Sequence, residues 1–417
     1  MSSFIINGGK HLVGERCVTG AKNSVLPLLA ATFLLDNKTV LHNCPCLTDV
    51  DASVKILEHL GCKCSRDGDV LTIDSLGCNG FVIPETLMRE MRSSIIFLGA
   101  VAAKCGRAVM SLPGGCELGP RPIDIHIDAL ERLGAKIECT NGQIICTMDE
   151  PQNDCDIHLG FPSVGATENT ILASCKGKGV TTIYNAAREP EIEDLCLMLN
   201  SAGAKISGGG TSTIVINRVD KLHSCEHTVM PDRIVAATYL FTVAMCNGKL
   251  KLNNIIPEHL IPFTSCLENC GCDVRIGEDC IDLKSTGTLN NFDSISTQPY
   301  PGFPTDAGPA LVSAATVFKG TGVFVENIFN SRFRYTGELA RLGAKIRTVG
   351  RTAIVTGVKK LHGAKITAHD LRGGAALVSA AMCADGQSIV NDIEYIDRGY
   401  ESIENMFNFL GADIKRC

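Results

Sequence analysis

One phrase, Leu-Gly-Ala-Lys, returns along the chain in variants and constrains the fold more than any other feature. It reads LEHLGCKC, LERLGAKI, LNSAGAKI, LENCGCDV, LARLGAKI and FNFLGADI, with its glycine at Gly61, Gly134, Gly203, Gly271, Gly343 and Gly411. The spacings are 73, 69, 68, 72 and 68 residues. A period near 70 residues, six times over, demands six similar supersecondary units rather than one continuous core. Each unit carries the same pattern. A Gly/Ser/Thr-rich turn opens an Ala-rich helix, as in KNSVLPLLAATFLL. A β-branched strand follows and ends near Asn, as in TVLHN, TTIYN and LKLNN. An amphipathic helix then stops at the repeated glycine, which suits a helix C-cap. Two short strands joined by turns such as DGD, NGQ and GED complete the unit as a hairpin.

The expected architecture is therefore α/β, with six αβαββ-like units. Their first helices are apolar on all sides, as buried helices are. The 417 residues exceed one ordinary core, and six units divide into two halves of three. The expected domains are 1–20 plus 229–417, and 21–228.

Composition narrows the class. Hydrophobic residues make up 45% and charged residues 20%, with a formal charge of −6 and no Lys/Arg block. This describes a globular chain and argues against a nucleic-acid partner. No charged start followed by a long apolar run marks a signal peptide, and no segment is long enough to span a bilayer, so no membrane partner and a cytoplasmic location are expected. The 21 cysteines read mostly as small buried hydrophobes in a reducing compartment, and their Cys-x-Cys pairs lack zinc spacing. No metal is expected. The glycine-rich run SGGGT (207–211) falls in a hairpin position. Neither a dinucleotide fingerprint nor a P-loop occurs, so no nucleotide cofactor is expected.

The starts of the six buried helices read GAKNS, EMRSS, PSVGA, MPDRI, FPTDA and HDLRG. In register they place Lys22, Arg92, Gly165, Arg233, Asp306 and Arg372. A cation at a helix N-terminus opposes the helix dipole. Four in register predict anion sites, with backbone N–H groups aimed at a phosphate or carboxylate. Asp306 stands out as the one acid: a carboxylate among cations stays ionised and can accept a proton from a hydroxyl. The loop SLPGGCELGPRP (111–122) departs from the repeat. Its glycines permit movement, and Arg121 can lower the pKa of the Cys116 thiol.

These residues carry a resemblance. GAKNS, MRSSI, PGGCELGPRPIDIH, NAAREPEI, MPDRI, FPTD, DLRGGAALV and IDRGYE closely resemble, along the whole chain, the UDP-N-acetylglucosamine enolpyruvyl transferase family. The resemblance implies two inside-out α/β domains of three repeats each, closing over a cleft. It implies transfer of the enolpyruvyl group of phosphoenolpyruvate to the 3′-hydroxyl of UDP-N-acetylglucosamine, the first committed step of peptidoglycan synthesis, with no cofactor or metal. Lys22, Arg121 and Arg398 would hold phosphoenolpyruvate. Asn23 and Asp306 would contact the sugar, with Asp306 as base, and Cys116 would donate a proton. Arg92, Arg121, Pro122, Ile123, Asp124, Ile125, Ser163, Val164, Gly165 and Ile328 would bind the nucleotide. Asp370 and Arg372 would support the addition–elimination.

The chain departs from the family pattern at Phe161, at Asn330-Ser331 and at Gly308-Pro309. Two rival readings stand beside this one: an enolpyruvyl transferase for another acceptor such as shikimate 3-phosphate, and a non-catalytic paralogue that binds the sugar nucleotide. The resemblance leaves the oligomeric state open.

Overall fold

The computed structural model describes residues 2–112, 123–149, 153–285 and 287–417, without the side chain of Arg92. The chain forms two compact units, one of residues 2–19 and 231–417 and one of residues 20–112 and 123–230. Each has its own apolar core.

The repeat is visible in backbone geometry. All six recurring glycines are left-handed, with φ between 93° and 104°. In each, the residue after the glycine donates its N–H back to the helix, as Cys62 does to Leu57 and Ala204 to Leu199 (both 2.9 Å). This is the bond that closes a Schellman motif, and a side chain at the glycine would be strained by the positive φ. The strand-ending asparagines are a second signature. Asn43, Asn185 and Asn254 take φ of 53°, 55° and 52°. Their amides donate to the carbonyls of Val229, Leu159 and Val18 at 2.9, 2.8 and 2.6 Å.

Those carbonyls lie just past a strand that the sequence reading did not contain. All six sheets have four strands rather than three. The addition is a short edge strand parallel to the β-branched strand of the repeat, for example Cys155–His158 beside Val180–Tyr184. The unit is therefore βαβαββ, with the buried helix as the crossover that a parallel pair requires. These edge strands span only two to five residues and carry no apolar run, which explains why the sequence hid them. In two repeats the edge strand comes from elsewhere in the chain. Val13–Cys17 lies beside Lys249–Asn253, and Glu226–Thr228 beside Lys38–His42. The N-terminal strand Ser3–Asn7 likewise completes the last sheet, between Gln387–Asn391 and Ile414–Arg416.

The Ala-rich helices are the centre of each unit. Lys22–Leu34, Phe97–Cys105 and Val164–Ser174 pack on one another in one unit. Arg233–Met245, Gly308–Ala315 and Leu371–Cys383 do so in the other. Every residue of Arg233–Met245 is buried. Helices inside and sheets outside form the expected inside-out arrangement. Of the twenty described cysteines, all free thiols, ten are buried and four exposed, so packing rather than cross-linking accounts for half of them. No described helix is long and apolar enough to cross a membrane.

Candidate functional site

The six residues singled out at the helix starts fall at the N-terminal ends of the buried helices, two of which are entered through a 3-10 turn. Arg92–Ile96 precedes Phe97–Cys105, and Thr305–Ala307 precedes Gly308–Ala315. The expectation that these starts offer open N–H groups needs correction in the 231–417 unit. Asp232 accepts from the N–H groups of Ile234 and Val235 at 2.7 and 2.9 Å. Asp370 accepts from those of Arg372 and Gly373 at 3.0 and 2.8 Å. The cationic starts at Arg233 and Arg372 are thus capped by the preceding aspartate, a device worth about 1 kcal/mol, and the N–H groups so used are not offered to an anion.

Around Asp306 these caps are part of a larger cluster. Its carboxylate is 2.9 Å from Arg332 and 3.3 Å from Arg372. Both arginines are almost wholly buried, whereas the Asp306 side chain is 26% exposed, so it is the member of the cluster open to a ligand. Burial opposes the charge of Arg372, but Tyr400, Asp306 and Asp232 outweigh it and hold its pKa above the ordinary arginine value. Its guanidinium lies 5.4 Å from the Tyr400 ring, two residues past the half-buried Arg398. Glu326, fully buried, ties Ile328 to the same turn: it accepts from the Ile328 N–H at 2.7 Å and from the Thr305 hydroxyl at 2.8 Å. Among the described residues, buried polar atoms with no hydrogen-bond partner concentrate here: Arg332 Nε, Tyr335 Oη, Asp370 Oδ2, and Arg372 Nε and Nη1. Orphaned donors and acceptors are costly in a core and mark a place prepared for a ligand or solvent.

The 20–230 unit carries two further groups. Lys22, at the first residue of its helix, is buried, with Nζ 2.8 Å from Asp49 Oδ2. Asn23 follows, half-buried. At the Val164–Ser174 helix, Ser163 caps only the Ala166 N–H, at 3.4 Å. The N–H groups of Val164 and Gly165 have no acceptor among the described residues, so here the expected open helix start is present. Beneath it lies His126, on the helix Asp124–Arg132 that begins with the candidate residues Ile123, Asp124 and Ile125. Burial lowers the His126 pKa to about 4, against a small opposing pull from Asp124, so the ring is neutral.

Cys116, Arg121 and Pro122 lie outside the described residues, as does the side chain of Arg92. The sequence reading passed over Arg332, Glu326, Asp49, His126 and Asn169. Arg332 was visible only as part of a departing motif, and Asp49 and Glu326 look like ordinary surface acids in sequence. Two departures have physical reasons. A side chain at Gly308 would meet the Phe324 ring at 2.7 Å, and Pro309 sits in the first turn of its helix, where its missing N–H costs nothing. Asn330 accepts a hydrogen bond from Arg351, and Phe161 is exposed. Among the described residues no group of His, Cys, Asp and Glu could hold a metal ion.

Six helix-centred repeats in two units define the enolpyruvyl transferase fold. Solved structures share it across the whole chain. The enolpyruvyl transferase NikO from Streptomyces tendae superposes with a TM-score of 0.89 at 23% identity, over 100% of this chain and 98% of that one. An EPSP synthase from Acinetobacter baumannii gives 0.73 at 19% identity, over 100% of both. Residues 6–407 match the EPSP synthase (3-phosphoshikimate 1-carboxyvinyltransferase) family, and the chain belongs to it. Within that family it is 50% identical, over 100% of both chains, to UDP-N-acetylglucosamine 1-carboxyvinyltransferase 2 of Caldanaerobacter subterraneus subsp. tengcongensis. It is 43% identical, again over 100% of both, to UDP-N-acetylglucosamine 1-carboxyvinyltransferase of Shewanella amazonensis.

Proposed function

We propose that this protein is a transferase that moves the enolpyruvyl group of phosphoenolpyruvate to the 3′-hydroxyl of UDP-N-acetylglucosamine and releases phosphate, the entry step of peptidoglycan synthesis. The observation that carries the reading is the full-length identity of 42–50% to relatives named for that acceptor, against 19–20% to the EPSP synthase structures. Shikimate 3-phosphate is accordingly disfavoured as acceptor.

In this reading Asp306 takes the proton of the sugar hydroxyl as its oxygen attacks the enol carbon, and the methylene carbon gains a proton from Cys116. The carbon–oxygen bond to phosphate then breaks, and a proton leaves the new methyl group to restore the double bond. Base and acid are needed on opposite sides of the double bond. Arg332 and Arg372 support the assignment of Asp306, because two guanidinium groups keep the carboxylate ionised and oriented. The same cations stabilise the negative charge that develops on the hydroxyl oxygen as its proton leaves. Lys22, Arg121 and Arg398 neutralise the phosphate and carboxylate of phosphoenolpyruvate. Asp370 acts through the Arg372 backbone that it caps. Asn23 contacts the sugar, and Arg92, Arg121, Pro122, Ile123, Asp124, Ile125, Ser163, Val164, Gly165 and Ile328 hold the nucleotide. The acceptor-free N–H groups of Val164 and Gly165 suit its diphosphate. A reducing, cytoplasmic setting fits the free thiols.

Phosphate release from phosphoenolpyruvate, measured with each acceptor, tests the reading. Release with UDP-N-acetylglucosamine and none with shikimate 3-phosphate is expected. The reverse preference would identify the acceptor wrongly assigned, and release with neither would leave a non-catalytic binder.

A further inference from the structure

We propose that Asn169 is a positioning residue for sugar-nucleotide binding, joining three separate nucleotide-binding segments of its unit through one side chain and fixing His126 in a single tautomer. The proposal rests on the nucleotide-binding reading of those segments given above.

Asn169 is fully buried in the second turn of the Val164–Ser174 helix, beyond Gly165. Its amide is completely used. Oδ1 accepts from the Gly99 N–H at 2.8 Å. Nδ2 donates to the Ile95 carbonyl at 3.0 Å, within the 3-10 turn that begins at Arg92. Nδ2 also meets His126 Nδ1 at 2.8 Å. The two bonds to backbone settle which end of the amide is which, since the Gly99 N–H requires an oxygen and the Ile95 carbonyl requires a nitrogen. The atom facing His126 is therefore a donor, so Nδ1 of the ring must be the acceptor. A neutral imidazole that accepts at Nδ1 carries its proton on Nε2.

The consequence is geometric. Arg92 opens one segment, Ile123 to Ile125 lead into the helix of His126, and Ser163 to Gly165 begin the helix of Asn169 itself. His126 also underlies Gly165: a Cβ there would sit 3.0 Å from His126 Cε1 and 3.3 Å from Nε2. A ring turned about or protonated at Nδ1 would break the node and shift the surface on which the Val164 and Gly165 N–H groups stand. Close packing supports the same rigidity, because a Cβ on Gly99 would meet the Asn169 carbonyl at 2.4 Å. A residue that only filled space would not need this pairing of donors and acceptors.

Two measurements test it. The first uses the unaltered protein: ¹⁵N NMR of histidine-labelled chain, with His126 assigned by its loss in His126→Gln, should show a neutral ring protonated at Nε2 at pH 7. A ring protonated at Nδ1, or doubly protonated, overturns the proposal. The second is Asn169→Asp, which puts an acceptor where Nδ1 needs a donor. We expect KM for UDP-N-acetylglucosamine to rise tenfold or more, with KM for phosphoenolpyruvate and kcat within about threefold, and the His126 ring to gain a proton at Nδ1. An unchanged KM for the sugar nucleotide, or an equal loss in all three parameters, overturns it. Should Asn169→Asp fail to fold, Asn169→Ser and the tautomer of the unaltered chain still decide. Failure of the broader reading would look different, since the unaltered protein would then show no affinity for UDP-N-acetylglucosamine at all.

Discussion

In the 231–417 unit, a partly exposed carboxylate, Asp306, is held between two buried guanidinium groups. In the 20–230 unit, the open helix start at Gly165 rests on a neutral ring, His126, held by an amide. The first arrangement is built from charge and leaves polar atoms without a partner among the described residues. The second is built from hydrogen bonds in which every atom of the Asn169 amide is used. The difference matches the tasks proposed for them. Stabilising charge that develops during a reaction needs buried ions whose balance is incomplete before substrate arrives. Holding a nucleotide needs donors fixed in place without a net charge to compensate.

The contrast can be broken most severely at Asp306. Asp306→Asn removes the base yet preserves size, and single-turnover kinetics should show the chemical step slowed by roughly 10²-fold or more. Near-normal turnover would remove the assignment. Lys22→Ala should come next. It removes the ammonium group 2.8 Å from the buried Asp49 carboxylate, so stability falls, read as a lower urea midpoint. In the protein that remains folded, KM for phosphoenolpyruvate should rise far more than affinity for the sugar nucleotide changes. Equal loss of both would indicate a collapsed helix start instead.

A smaller effect sharpens the comparison through pH. His126 titrates near 4 in the folded chain and near 6.5 when unfolded. As the pH falls the unfolded chain takes up its proton first. The stability this gives is therefore fully present above pH 6.5 and lost on descent toward pH 4, roughly 3 kcal/mol in all. Glu168, in the same unit, works the other way. Its carboxyl is pushed up by burial and then by Glu191 and Glu189, so the destabilisation it causes at neutral pH is relieved as the pH falls. Comparing urea midpoints at pH 7 and pH 5 in the parent and in His126→Gln separates the two. The acid-induced loss should be smaller in the variant, and an identical loss would show that His126 does not titrate as described.

Much of this was legible in the sequence because it is periodic. The repeated glycines gave the six helix ends, since only a residue free to take positive φ fits there. The Ala-rich runs gave the central helices, because nothing else in the chain is apolar all round. The edge strands were hidden because they span only two to five residues and carry no apolar run to set a side-chain pattern. The helix starts were located correctly, and the one at Gly165 is open as expected, but those at Arg233 and Arg372 are not, as the caps of Asp232 and Asp370 depend on local rotamers. Arg332, Glu326 and Asn169 were invisible for a different reason. Their importance lies in partners 26, 21 and 74 residues away in sequence, and no local spacing encodes such pairs.

The central claim is that chemistry and nucleotide binding rest on separate groups, one charged and one neutral. Calorimetric titration of UDP-N-acetylglucosamine into Asp306→Asn and Gly165→Ala, with single-turnover rates for both, tests it most directly. Asp306→Asn should bind within a few-fold of the parent and turn over at least about 10²-fold more slowly. Gly165→Ala, whose new methyl group presses on His126 at 3.0 Å, should bind at least about tenfold more weakly and react at a near-parental rate once saturated. Parallel losses of binding and turnover in both variants would contradict the account.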